Sequence, residues 1–211
     1  MNTLTITDLV AASCCLVMLS SYQLRVFRLS KNPALAPHYI ESIRVRWVAS
    51  VIEGKRDILA VQTLRNMLMA ASFFASTAFF AAVGLLSFGM SAAEVPAVFE
   101  RVNFLGSTDQ TLFTAKLLLI ALILFATFFN FALTIRYYNH LGLVLNVPPE
   151  SDDLLLKAGA LLRRGGLHYS WGMRGYYAVI PAALWLFGPI WMALGTLLVL
   201  PLLHRHDHLP A

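Results

Sequence analysis

Residues 65–88 read RNMLMAASFFASTAFFAAVGLLSF, and how they are read decides the fold. From Met67 to Phe88 there is no charged residue, a length that crosses the hydrocarbon core of a bilayer as a helix. Just before the run stand Arg44, Arg46, Lys55, Arg56 and Arg65, a basic segment of the kind that stays on the cytoplasmic side. The run therefore leads outward from the cytoplasm. Within it, Ala71, Ala75, Ala78 and Ala82 recur at helical spacing, with Ser72, Ser76 and Gly84 nearby. Such a stripe lets another helix approach closely, because packing replaces hydrophobic drive in lipid. The other reading of the stripe is a small-residue pore lining. Phe73, Phe74, Phe79 and Phe80 supply bulk on the remaining faces.

The rest of the chain agrees with a membrane setting. Of 211 residues, 58% are hydrophobic and 13% charged, with a mean hydropathy of +0.68. That leaves too little polar surface for a soluble globule. The net charge of +5 is explained by basic loops between apolar runs, so no nucleic-acid partner is expected. Cys14 and Cys15 are adjacent and embedded in an apolar segment, which suits two small helical residues better than a disulfide. Met1–Thr7 carries no Lys or Arg, and Asp8 is acidic, so the first apolar segment is read as a retained span, not a cleaved signal.

Four spans are expected. The first covers about 5–24 and is closed by Arg25 and Arg28; the second is the stretch already quoted. The third covers about 112–135 and is closed by Arg136. The fourth covers about 176–203 and contains Pro181, Gly188, Pro189, Gly195 and Pro201. Its prolines predict a kink or break near Gly188 and Pro189. Between the first two spans, Asn32, Pro33 and Pro37 precede an amphipathic helix over about 39–53, ended by Gly54 and followed by a possible cap at Asp57. A second amphipathic helix is expected after Ser151, with Asp152 and Asp153 at its start, Arg163 and Arg164 at its end, and Gly165 as its stop. Lys116 is read as snorkelling to the headgroups, with a charge facing an ion path as the alternative. No carboxylate is expected deep in a span, which counts against proton-coupled transport.

Lys and Arg number eight from Arg25 to Arg65, one from Gly89 to Thr111, five from Arg136 to Arg174, and one after Leu203. This asymmetry predicts both termini outside, in a bacterial inner membrane. Glu41-Ser42 and Glu150-Ser151 are 109 positions apart (150−41), as are Arg65 and Arg174 (174−65). The expected architecture is thus all-α, with four transmembrane helices in two parallel hairpin repeats and cytoplasmic amphipathic interfacial helices. It forms a single bundle over 1–203, with repeats at about 5–88 and 112–203, and an external His-rich tail at 204–211. Arg65 and Arg174 are expected at equal depth near the cytoplasmic face.

The segment Gln62-Thr63-Leu64-Arg65-Asn66, following Arg46-Trp47, resembles the bacterial and plant membrane-protein family called domain of unknown function 599. Asn130, Arg136-Tyr137-Tyr138-Asn139-His140, Gly172-Met173-Arg174-Gly175-Tyr176-Tyr177 and Trp185-Leu186-Phe187-Gly188-Pro189 extend the resemblance over nearly the whole chain. It implies an integral membrane protein and supplies no reaction, substrate or catalytic residue.

Two candidate sites follow from the residues. Arg65, Arg174, Gln62, Asn66 and Arg136 line the inner mouth and suit an anion or lipid headgroup. His204, His206 and His208 alternate, so an extended tail would offer three imidazoles to Zn²⁺ or Cu²⁺. A third set, His38, Glu41, His140 and His168, lies at the cytoplasmic level and suits an interfacial metal or acid-base site. No catalytic motif is present, and the chain is read as a non-enzyme. The leading function is a small oligomeric channel or transporter-like protein with a basic cytoplasmic mouth. The alternatives are a non-catalytic accessory subunit, bound to another membrane protein, and an interfacial enzyme or metal-binding protein. Anionic lipids are the expected partners at the cytoplasmic face.

Overall fold

The computed structural model describes residues 3–31, 38–54, 57–91, 97–103, 106–107, 109–147 and 153–207. Among them all regular structure is helical: α1 (Thr3–Lys31), α2 (His38–Gly54), α3 (Asp57–Ser91), α4 (Ala97–Val102), α5 (Gln110–Leu145), α6 (Asp153–Leu184) and α7 (Pro189–Asp207). A single 3-10 turn, Trp185–Phe187, separates α6 from α7. The expected breaks at Pro33 and Pro37 and the caps at Ser151 and Asp152 lie outside the described residues.

Two helices, α3 and α5, are long and apolar enough to cross a membrane. At 35 and 36 residues they are each about 53 Å long at 1.5 Å per residue, well beyond a hydrocarbon core of about 30 Å. Shorter apolar stretches occupy Ile6–Tyr22 of α1 and Pro189–Arg205 of α7. Large apolar side chains stand open on all four helices, including Val17 (65%), Phe80 (70%), Leu122 (65%) and Leu197 (62%). Contiguous apolar rows of this kind are a surface for lipid or another apolar partner to cover. Polar side chains on the same helices turn back onto their own backbone, as Ser13 does to Leu9 O, Thr77 to Phe73 O and Thr196 to Met192 O. That satisfies the hydroxyls within each helix.

The chain forms two compact units: Met1–Asn32, Phe79–Phe125 and Arg174–Pro210 in the first, Pro33–Ala78 and Ala126–Met173 in the second. The core of the second joins Val48 of α2, Leu64 of α3, Tyr138 and Leu141 of α5, and Ala158 and Leu162 of α6. The bounds of α2 match the expected amphipathic helix, and its Val48 and Val51 are buried while Ile43 is exposed. Gly165 does not stop a helix. It lies inside continuous α6, where a Cβ would run into the Tyr138 ring, and its carbonyl accepts the Thr134 hydroxyl at 3.2 Å. Gly172 is likewise closed in by Phe131, with ring atoms from 2.7 Å. The two glycines let α5 and α6 approach, so the expected second interfacial helix is the first half of α6. On α3, Ala71, Ala75, Ala78 and Ala82 are all buried, as a helix contact requires.

In the first unit, Ala82 of α3 packs with Ile120 and Leu124 of α5 and Ala182 of α6. Ala12 and Cys15 of α1 pack with Trp185 and Met192. The expected break at Gly188 and Pro189 is present and is sharper than a kink. A Cβ on Gly195 would lie 3.2 Å from Pro181 Cα and 2.6 Å from Leu184 Cδ1. In a straight helix those fourteen residues would span about 21 Å. Thus α7 doubles back along the end of α6, and the expected fourth span is two antiparallel helices. Gly188 makes the reversal with φ +121°, a conformation that side-chain-bearing residues rarely adopt.

Candidate functional site

The break frees a backbone carbonyl at a defined place. In an unbroken helix the amide of residue 189 would bond to Trp185 O, but Pro189 has none. Two donors take that carbonyl instead: Gly188 N at 3.0 Å and Lys116 Nζ of α5 at 3.2 Å. The same ammonium donates to Asp8 Oδ2 at 2.9 Å and lies 4.9 Å from the centre of the Trp185 ring. Asp8 accepts three hydrogen bonds, from Lys116, from Trp185 Nε1 at 2.6 Å and from the Ser107 amide at 3.2 Å. Both charged side chains are buried, at 0% and 3% exposure for Asp8 and Lys116.

Local sequence explains how each part arrives. Asp109 caps α5, its carboxylate accepting Thr111 N at 2.8 Å while Ser107 Oγ accepts the Asp109 amide at 3.1 Å. This fixes the start of α5 and sets Lys116 two turns inside it. Asn103 closes the preceding loop onto Gly106 N at 2.6 Å and presses against Gly188, where a Cβ would lie 2.5 Å from Asn103 Oδ1. Trp191 Nε1 donates to Val102 O at 3.2 Å. The start of α1, the loop before α5 and the α6–α7 turn are thus stitched around one Asp–Lys pair.

One expectation changes here. Lys116 does not snorkel to headgroups; it turns inward to Asp8. Asp8 stands near the start of α1, as expected, but it is a fully buried carboxylate and not a solvated one. An oxygen of a carboxylate, a freed carbonyl and an indole face around one ammonium make a cation-holding arrangement. Sequence reasoning had each member of the set separately, but α1, α5 and the helix break are far apart in the chain.

Over residues 10–210 the sequence matches a family model described as protein of unknown function, DUF599. The chain belongs to that family. No curated protein and no solved structure matches it.

The other site residues of this DUF599 protein fall as follows. Gln62, Arg65 and Asn66 of α3 and Arg136 of α5 are exposed in the second unit, and Arg174 of α6 is half-buried in the first. His140 is exposed. His168 is half-buried and pairs with Asn130. The Asn130 amide nitrogen donates to Ala126 O at 2.9 Å, so its oxygen faces His168 Nδ1 at 3.0 Å. His168 therefore carries its proton on Nδ1 and stacks on Tyr137, with ring centres 5.5 Å apart. The side chains of His38 and Glu41 lie outside the described residues. So do those of His206 and His208. Helix α7 continues through Asp207, which sets positions 204 and 206 about 200° apart round the axis instead of on one extended face. Among the described residues no group of three or more His, Cys, Asp or Glu is arranged to hold a metal. Cys14 is exposed and Cys15 buried, and both are free thiols.

Proposed function

We propose that this DUF599 protein is a small transporter-like or channel protein of the bacterial inner membrane, with the Asp8–Lys116 pair as its charge-handling element. One observation carries this reading: an Asp–Lys pair is buried in an apolar bundle, against the carbonyl freed by a broken helix. Charges within membrane helices are expensive and face partners or ion paths, and discontinuous helices supply backbone ligands there. Reconstitution into liposomes tests it. Ion flux above that of empty vesicles, lost in Asp8→Asn, is expected; wild-type flux no greater than that of empty vesicles overturns it.

The topology we propose has five crossings, by α1, α3, α5, α6 and α7. The N-terminus and the α6–α7 turn are outside, and the C-terminus is inside. The reversal at Gly188 supports this over four crossings with an external tail, and it moves Arg205 to the basic side. The two halves are proposed to descend from one duplicated unit. They have since diverged: the second half interrupts its helix between Leu184 and Pro189. Exposed Arg65 and Arg136, with Gln62 and Asn66, are proposed to hold an anion or anionic lipid headgroups at the cytoplasmic mouth, with Arg174 as the counterpart of Arg65. The chain acts without catalysis and as a homo-oligomer.

A second reading, an accessory subunit bound to another membrane protein, is favoured by the completeness of the Asp8 hydrogen bonding, which suits a structural clasp. Purification in mild detergent separates the two. A stoichiometric second protein supports the accessory role, and a homogeneous preparation of this chain alone counts against it.

A further inference from the structure

Lys116 occupies a position with the chemistry of a bound cation. Its Nζ lies 2.9 Å from Asp8 Oδ2, 3.2 Å from Trp185 O and 4.9 Å from the indole centre. These are a full negative charge, a carbonyl oxygen and an aromatic face, converging on one small buried volume. Each of the three has a further hold besides the lysine. Asp8 is also held by Trp185 Nε1 and Ser107 N; Trp185 O is oriented by the 3-10 turn and by Gly188 N; the indole is anchored by its bond to Asp8. The cradle thus has contacts of its own besides those to its occupant, which is tethered through the aliphatic stem of Lys116.

We infer that this cradle is a binding site for a small hydrogen-bond-donating monovalent cation of the ammonium class, with the Lys116 ammonium as its resident, tethered occupant. Its chemistry selects the class. A primary ammonium donates to both oxygens and presents residual positive charge to the indole, as Lys116 does. A quaternary ammonium has no N–H and leaves the buried carboxylate short of a donor. A divalent cation would bring a second positive charge to a site with one carboxylate and, among the described residues, no further acid in contact with it. That the cradle serves a transport cycle, in which an incoming cation takes the place of Lys116, rests on the transporter reading; its existence does not.

The test removes the tether and offers the free ion. Lys116→Ala and Asp8→Asn/Lys116→Ala are compared with the wild type by thermal unfolding in detergent. Ammonium, methylammonium and tetramethylammonium chloride are used at equal ionic strength. In Lys116→Ala, ammonium or methylammonium should raise the melting temperature by about 5 °C over tetramethylammonium, saturably. Wild type and the double variant should show no such difference. Equal melting of Lys116→Ala in all three salts overturns the inference, as does an equal rise in the double variant. A Lys116→Ala protein that stays unfolded in every salt overturns it too, because the free cation then fails to replace the lost one. Liposome flux is read separately, so absent flux with intact cation rescue removes the transporter reading and leaves the site.

Discussion

At the scale of single residues, the chain concentrates its electrostatic risk in one pair. Asp8 and Lys116 are both taken out of solvent, so each is tolerable only with the other present. Breaking such a pair from one side costs about 3–5 kcal/mol, whereas replacing both with neutral groups of similar size is often close to neutral. Asp8→Asn and Lys116→Met should therefore each lower the melting temperature strongly, while the double variant should recover most of the loss. A double-mutant cycle in thermal unfolding measures this coupling. Additive losses would show that the two side chains act independently. His168 is a different case. Its Nδ1 proton is fixed by Asn130, and its ring stacks on Tyr137. Asn130→Leu should release the ring and lower stability by about 1 kcal/mol, the net worth of one hydrogen bond. Chemical denaturation checks that value.

At the scale of elements, glycine and proline have two unlike uses. Gly188 reverses the chain at φ +121° and touches Asn103. Gly188→Ala should destabilise by about 1–3 kcal/mol through backbone strain. Gly165 has ordinary helical geometry but sits under Tyr138, so Gly165→Ala should cost a similar amount, about 1–3 kcal/mol, through overpacking. The pair is separated by a second change. Tyr138→Leu makes room at Gly165 and should soften the Gly165→Ala loss, but it should leave Gly188→Ala unchanged in the same unfolding assay. These roles explain what was legible in the sequence. The uncharged run after Asn66, the alanine stripe of α3, the helix over about 39–53 and the break before Pro189 are all local patterns, and each stands where the residues predict. Gly165-Gly166 after two arginines has the local form of a helix stop, yet α6 runs through it because burial against Tyr138 and Thr134 outweighs glycine's cost. The direction of α7 was equally hidden. Proline dictates where a helix loses a bond, but Gly195 packing on Pro181 dictates where the chain goes next. The Asp8–Lys116 contact spans 108 positions, and no periodicity or spacing rule links residues so far apart.

At the scale of the whole molecule, the fold-back of α7 carries a prediction about sidedness. The proposed five crossings would put Arg101 and His204 on opposite faces of the membrane. A cysteine placed at Arg101 should react with a membrane-impermeant maleimide in intact cells. One placed at His204 should react only after the membrane is opened, with Cys14 and Cys15 replaced by alanine in both variants. Labelling of both in intact cells would restore the four-crossing arrangement. The positive-inside count does not decide between the two, because only Arg205 follows Leu203 among the Lys and Arg residues. The fold-back supports the five-crossing proposal, because it sends the last apolar helix back along α6.

The bond from Trp185 to Asp8 joins residues 177 positions apart, and that separation orders events during synthesis. Asp8 is synthesised with the first helix, long before either of its side-chain partners has been made. Lys116 can neutralise it once α5 is inserted, but the indole donor and the carbonyl that holds the lysine arrive only with the last quarter of the chain. Until then two of the four hydrogen bonds around the pair, Trp185 Nε1 to Asp8 and Lys116 to Trp185 O, have no partner to form with. The cluster is thus begun by α1 and closed only when the turn between α6 and α7 has been synthesised.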